Sequence, residues 1–306
     1  MSPITTAILA IAAFIGVYSV AADFSKLRQS RLIGGTISPA PFLVSLQRSR
    51  RHFCGGSMIS ANVVLTAAHC VDNVGVDSIR VRVGSWYVTS GGTLHNVSRK
   101  IIHEKYIQLT RVNLLNDIAL LELNEPIKIS GSSNPIPIYS SNKIIPEDSI
   151  ATAFGWGALY SGPPDSSFRL PEVASVIKFN HTQSVKDSYQ QVVEKKLIQW
   201  SVVLPRASRS VQLRTISKLE CLESYRSKYL VTLENQICTA ANTKKDACVD
   251  DDGGPLVVNQ QLAGIISWGE SCATPEYPRV YTEVAPYREW IKHHIQKLYQ
   301  AKTNLR

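Results

Sequence analysis

A chain of 306 residues is long enough for one large or two small domains with a real core. Its 44% hydrophobic and 19% charged residues are ordinary for a soluble globular protein. The formal net charge of +9 would suit an anionic glycan or a nucleic acid, but a solvated basic surface explains it as well, and no nucleic-acid partner is expected. The six cysteines have no metal-ligand spacing, so they do not point to zinc.

In chain order, residues 1–22 read as a secretory signal peptide. An uncharged apolar run leads to Ser19-Val20-Ala21-Ala22, whose small residues suit cleavage. No later run is long and apolar enough to span a bilayer, so a secreted, extracellular protein without a membrane partner is expected. An even cysteine count in a secreted chain implies disulfides, with the pairing left open. Residues 23–31 form a short polar segment, followed by Leu32-Ile33-Gly34-Gly35. Beyond it come short apolar runs broken by turn residues. Phe42-Leu43-Val44-Ser45-Leu46, Val63-Val64-Leu65-Thr66 and Ile79-Arg80-Val81-Arg82-Val83 are examples. That spacing predicts an all-β sandwich or barrel. Near the end, Tyr287, Ile291, Ile295 and Leu298 fall on one helical face, with Trp290 beside them.

Several motifs stand in a fixed order. They are Phe53-Cys54-Gly55-Gly56-Ser57, Thr66-Ala67-Ala68-His69-Cys70, Asn116-Asp117-Ile118-Ala119-Leu120-Leu121, Phe154-Gly155-Trp156-Gly157 and Cys248-Val249-Asp250-Asp251-Asp252-Gly253-Gly254-Pro255. Together they resemble the trypsin-like (chymotrypsin-type) serine peptidases, over almost the whole chain after residue 31. The resemblance implies an all-β fold of two antiparallel six-stranded β-barrels with a C-terminal α-helix. The barrels would span about 32–140 and 145–285, the helix about 286–299, and the whole domain 32–300. It also implies the disulfides Cys54–Cys70, Cys221–Cys238 and Cys248–Cys272. By the same resemblance, residues 23–31 are an activation propeptide. Cleavage after Arg31 would free the amine of Leu32 to pair with Asp251, because a buried carboxylate needs a partner.

By resemblance His69 is the catalytic base and Asp117 the carboxylate that orients it. The departure is at the nucleophile: Asp252 stands where the family has serine, and Asp250 where it has the oxyanion-loop glycine. A carboxylate has no proton for His69 to remove, and its attack on an amide would give an anhydride less stable than the amide. Its charge also opposes the oxyanion that must form nearby. The expectation is therefore a non-proteolytic homologue acting by binding, as cofactor, decoy or regulator of proteolysis, with a protein partner. The alternative is an active trypsin-like endopeptidase, should the serine stand in the true sequence or another group replace it. Ser267, in the substrate-binding strand, is a weak candidate for such a group.

In the specificity pocket the resemblance places Asp246 at an acidic base selecting Arg or Lys, with Trp268 and Gly269 along an open wall. Arg279, in Tyr277-Pro278-Arg279-Val280-Tyr281, stands where trypsin has a second wall glycine. It is expected to turn inward, toward Asp246, and fill the pocket. Three other readings bear on ligands. His69, Asp117, Asp250 and Asp252 have the ligand types for a metal, but Asp117 is committed to His69, so no metal is expected. The stretch near residues 86–94 lacks the carboxylates of the family's calcium loop, and no cofactor is expected. Arg48, Arg50 and Arg51 form a basic loop suited to an anionic glycan.

Between Gly157 and Cys221 the chain is about twice as long as the family needs, with the excess at about 171–209. Val185, Tyr189, Val192, Val193, Leu197 and Trp200 there fit helical spacing. The segment is a surface loop with a helix in it, a retained intron or a binding insertion. Asn96-Val97-Ser98 and Asn180-His181-Thr182 are candidate glycosylation sequons.

Overall fold

The computed structural model describes residues 35–140, 145–156, 207–240, 251–270 and 276–303. Residues 1–22, the Arg31–Leu32 bond, Asn180, Asp246, Cys248, Asp250, Cys272 and most of the 171–209 segment lie outside these residues.

The first half supplies β1 (Thr36–Ile37), β2 (Leu43–Arg48), β3 (Arg51–Met58), β4 (Val63–Thr66), the one-turn helix α1 (Ala68–Val71), β5 (Arg80–Val83), β6 (Thr93–Ile102), β7 (Ile107–Thr110), β8 (Asn113–Leu115) and β9 (Ala119–Leu123). Six of them close a barrel in the order β2-β3-β4-β9-β6-β5. Alternation within a strand sets which face turns inward. In Arg80-Val81-Arg82-Val83 both valines are buried and both arginines half-buried. β4 reads Val-Val-Leu-Thr and is buried throughout, since it passes between neighbours on both sides. The turn from β2 to β3 has positive φ at Ser49 (49°) and Arg50 (64°), the geometry a two-residue hairpin requires. It holds Arg48, Arg50 and Arg51 exposed at the tip.

The second half supplies β10 (Ile150–Gly155), β11 (Arg209–Ile216), helix α2 (Lys218–Arg226), β12 (Gln236–Thr239), β13 (Pro255–Val258), β14 (Gln261–Trp268), β15 (Arg279–Glu283) and helix α3 (Arg288–Thr303). The sheet runs β1-β11-β10-β13-β14-β15-β12, and β12 pairs back onto β11. Six strands thus close a second antiparallel barrel, with β1 as a short addition on β11. The two expected barrels are both present.

Ser217 caps α2, accepting the Glu220 N–H at 3.0 Å, and Glu220 completes a Ser-x-x-Glu capping sequence. The Cys221–Cys238 disulfide ties this helix to β12, and Cys54–Cys70 ties β3 to α1. Both pairings match the expectation, while Cys248 and Cys272 lie outside the described residues. The predicted terminal helix is α3, preceded by a 3-10 turn at Ala285–Tyr287 that contains Pro286. Tyr287, Ile291 and Leu298 are buried and join the core of the first barrel. Each such side chain contributes about 1.5–3 kcal/mol on burial, which holds the helix across the molecule. Among the described residues no helix is long and apolar enough to cross a membrane. Residues 207–209, counted above with the excess segment, already belong to the barrel body. Ala207 bridges Tyr87, Ser208 N–H donates to Trp86 O at 2.6 Å, and Arg209 opens β11.

Candidate active site

His69 sits in α1, the single helical turn that follows β4. Its backbone N–H donates to Asp117 Oδ1 at 2.9 Å, and its Nδ1 lies 2.7 Å from Asp117 Oδ2. The pair orients the ring by two contacts, so Nδ1 carries a proton and Nε2 faces the cleft. Asp117 precedes β9 and is fully buried. Ser267 Oγ donates to Asp117 Oδ2 at 2.6 Å. Thr282 Oγ1 donates to the backbone carbonyl of Asp117 at 2.9 Å. Ser267 is 3% exposed and committed to this carboxylate. It therefore positions Asp117, and that engagement disfavours it as a substitute nucleophile. The sequence noted Ser267 but missed this partner, because the two residues are 150 positions apart.

The second barrel brings the nucleophile loop to the same place. Gly55 N–H donates to Asp252 O at 2.7 Å, and Gly253 N–H donates to Ile266 O at 2.8 Å. Gly253 has φ +79°, and a Cβ there would meet Thr66 Oγ1 at 2.4 Å. Only glycine allows the loop to lie this close to the first barrel. Asp252 is thereby aimed at His69, with Oδ2 3.9 Å from Nε2. That is ion-pair range but beyond hydrogen-bond reach. Beside it, Asp251 is fully buried with its carboxyl against Gly155 of β10.

Arg279 is buried, with 5% of its surface exposed. Its Nη2 donates to Asp252 Oδ1 at 2.8 Å. The expected partner, Asp246, lies outside the described residues. Four charges thus alternate along the cleft: Asp117, His69, Asp252, Arg279. Burial alone would depress the His69 pKa. The Asp117 charge and hydrogen bond, helped by Asp252, outweigh both burial and the opposing Arg279, and the pKa is pushed up to about 9. At neutral pH the ring is an imidazolium, held by a carboxylate on either side.

As for a metal, Asp117 accepts from the His69 backbone and ring and from Ser267, and Asp252 accepts from a guanidinium. Cys54 and Cys70 lie next to His69, but their sulfurs are joined in a disulfide. Trp268 is buried, at the end of β14, and Gly269 follows it.

The Trypsin family model matches residues 34–202 and 199–291. The chain belongs to the trypsin family. It is 35% identical over 280 residues to hypodermin-A of Hypoderma lineatum, covering 90% of this chain and 92% of that protein. It is 32% identical to a vitellin-degrading protease of Bombyx mori, covering 88% of this chain and 87% of that one. Trypsin delta of Drosophila melanogaster is 35% identical, with 85% and 87% covered. Among solved structures, neuropsin, a serine protease expressed in the limbic system of mouse brain, superposes with a TM-score of 0.65 at 24% identity. That match covers 85% of this chain and 98% of neuropsin, and it speaks to the fold alone. This trypsin-family chain thus holds His69 between two carboxylates, Asp117 at Nδ1 and Asp252 on the side of Nε2.

Proposed function

We propose that this trypsin-family chain is a secreted, non-proteolytic homologue that binds a protein partner as cofactor, decoy or regulator of proteolysis. One observation carries the reading: the Asp252 carboxylate lies 3.9 Å from His69 Nε2. A serine hydroxyl there would give its proton to the imidazole and attack. Asp252 has no proton to give, and His69, with a pKa of about 9, is already protonated at neutral pH. Neither partner is in the state that acyl transfer needs. Negative charge at Asp252 also works against a tetrahedral oxyanion.

The second reading, an active endopeptidase cleaving after Arg or Lys, is favoured by relatives such as the vitellin-degrading protease. A fluorophosphonate probe separates the two. The processed protein is expected to remain unlabelled and to leave Arg and Lys esters uncleaved. Stoichiometric labelling within the cleft would overturn the non-proteolytic reading. The signal-like residues 1–22 support secretion, and the exposed tip of Arg48, Arg50 and Arg51 supports a contact with an anionic glycan.

A further inference from the structure

Two residues depart from the trypsin pattern in the described part of the cleft, and they meet. Arg279 opens β15. In the β14–β15 register Trp268 faces Val280, so continuing the antiparallel pairing sets Gly269 beside Arg279. The arginine side chain lies across that glycine. A Cβ on Gly269 would come 3.0 Å from Arg279 Cδ and 3.1 Å from its Nη1. A side chain at 269 would therefore push Arg279 aside, whereas glycine lets it run inward. It ends on Asp252 Oδ1 at 2.8 Å.

Burying a guanidinium is costly unless an anion receives it. A serine at 252 would offer a neutral hydroxyl, while Asp252 offers a full charge at charge-assisted hydrogen-bond distance. A glycine at 279, conversely, would take away the guanidinium that Asp252 Oδ1 receives. Each change offsets a cost created by the other. The pair behaves as a unit that has replaced both the nucleophile and the open pocket wall.

We propose that Arg279 is a built-in occupant of the cleft: its guanidinium fills from within the place where an arginine or lysine side chain of a substrate or inhibitor would enter. This deepens the non-proteolytic reading by narrowing the partner. A decoy that captures inhibitors through a basic side chain needs an open pocket, so the protein engages its partner outside the pocket, as cofactor or regulator. The inference rests on the cleft being a trypsin-type cleft. Asp252 holds the guanidinium, but the test reads no catalysis, because a cation can bind an open pocket without any chemistry.

Benzamidine, a planar cation, is the probe. Isothermal titration on the processed protein is expected to show no binding at millimolar benzamidine. Arg279→Gly removes the occupant and leaves Asp252 to receive the ligand, and its affinity should exceed that of the wild type by at least about tenfold. Arg279→Gln, closer in size, is the second variant and should gain affinity less strongly. Near-UV circular dichroism establishes that each variant keeps native packing. Wild-type binding as tight as that of the glycine variant would overturn the proposal, as would a natively packed glycine variant that does not bind. Should neither variant fold, the wild type decides: saturable benzamidine binding refutes an occupied pocket, and its absence supports one. Fluorophosphonate labelling reads the nucleophile and benzamidine reads the pocket, so either reading can fail without the other.

Discussion

At His69 two carboxylates compete with burial, and the carboxylates win. The folded pKa of about 9 lies above the ordinary value of 6.5. A raised folded pKa stabilises the fold fully below the unfolded pKa, and that stability disappears as pH rises through the folded one. The thermal midpoint should therefore decline as pH climbs from about 6.5 through about 9. Asp252→Asn removes one of the charges that raise the pKa, so the decline should be smaller and should end at lower pH. Proton NMR of the imidazole checks the cause directly. A His69 pKa at or below that of free histidine would show that Asp117 and Asp252 do not hold the ring as described.

The nucleophile loop and β10 are fitted together at atomic closeness. A Cβ on Gly155 would fall 1.9 Å from Asp251 Oδ1, and Asp251 is fully buried. Gly155→Ala should therefore destabilise the protein by about 3 kcal/mol through overpacking, measured by urea unfolding. Because Asp251 and Asp252 are adjacent, the same change should shift the His69 ring resonances. Gly75→Ala is the control: a Cβ there meets nothing within 4 Å. Its effect should stay within about 0.5 kcal/mol. Equal costs for the two substitutions would contradict the packing derived for the loop.

Across the whole molecule, the cleft is assembled from both barrels. The first contributes His69 and Asp117, the second Asp252, Ser267 and Arg279, so relative placement of the barrels sets the site. Cleavage after Arg31 is expected to act on that placement, since the freed Leu32 amine would bring a positive charge toward the buried Asp251. Treatment with a trypsin-like activator should yield a new terminus at Leu32, read by terminal sequencing. The melting midpoint should then rise by at least about 2 °C. An unchanged midpoint after complete cleavage would show that processing is not coupled to the fold.

Local pattern was enough to expect an all-β sandwich or barrel, because strand alternation and turn residues act over a few positions. The two six-stranded barrels were what the family resemblance implied. The resemblance, carried by short motifs, singled out His69, Asp117 and Asp252. That Asp252 stands at the family's serine position was read from the resemblance, and the proposal of a non-proteolytic protein rests on carboxylate chemistry. The terminal helix face of Tyr287, Ile291 and Leu298 was equally legible, because one period governs it. What the chain order did not disclose was which charges meet. Ser267 reaches Asp117 across 150 positions, and Arg279 reaches Asp252 across 27. Arg279 was expected to turn inward toward Asp246, which lies outside the described residues; its described contact is with Asp252. That choice depends on the β14–β15 register, on the space left at Gly269 and on the height of the nucleophile loop. Those are properties of how strands distant in sequence pack, and no local run of residues encodes them.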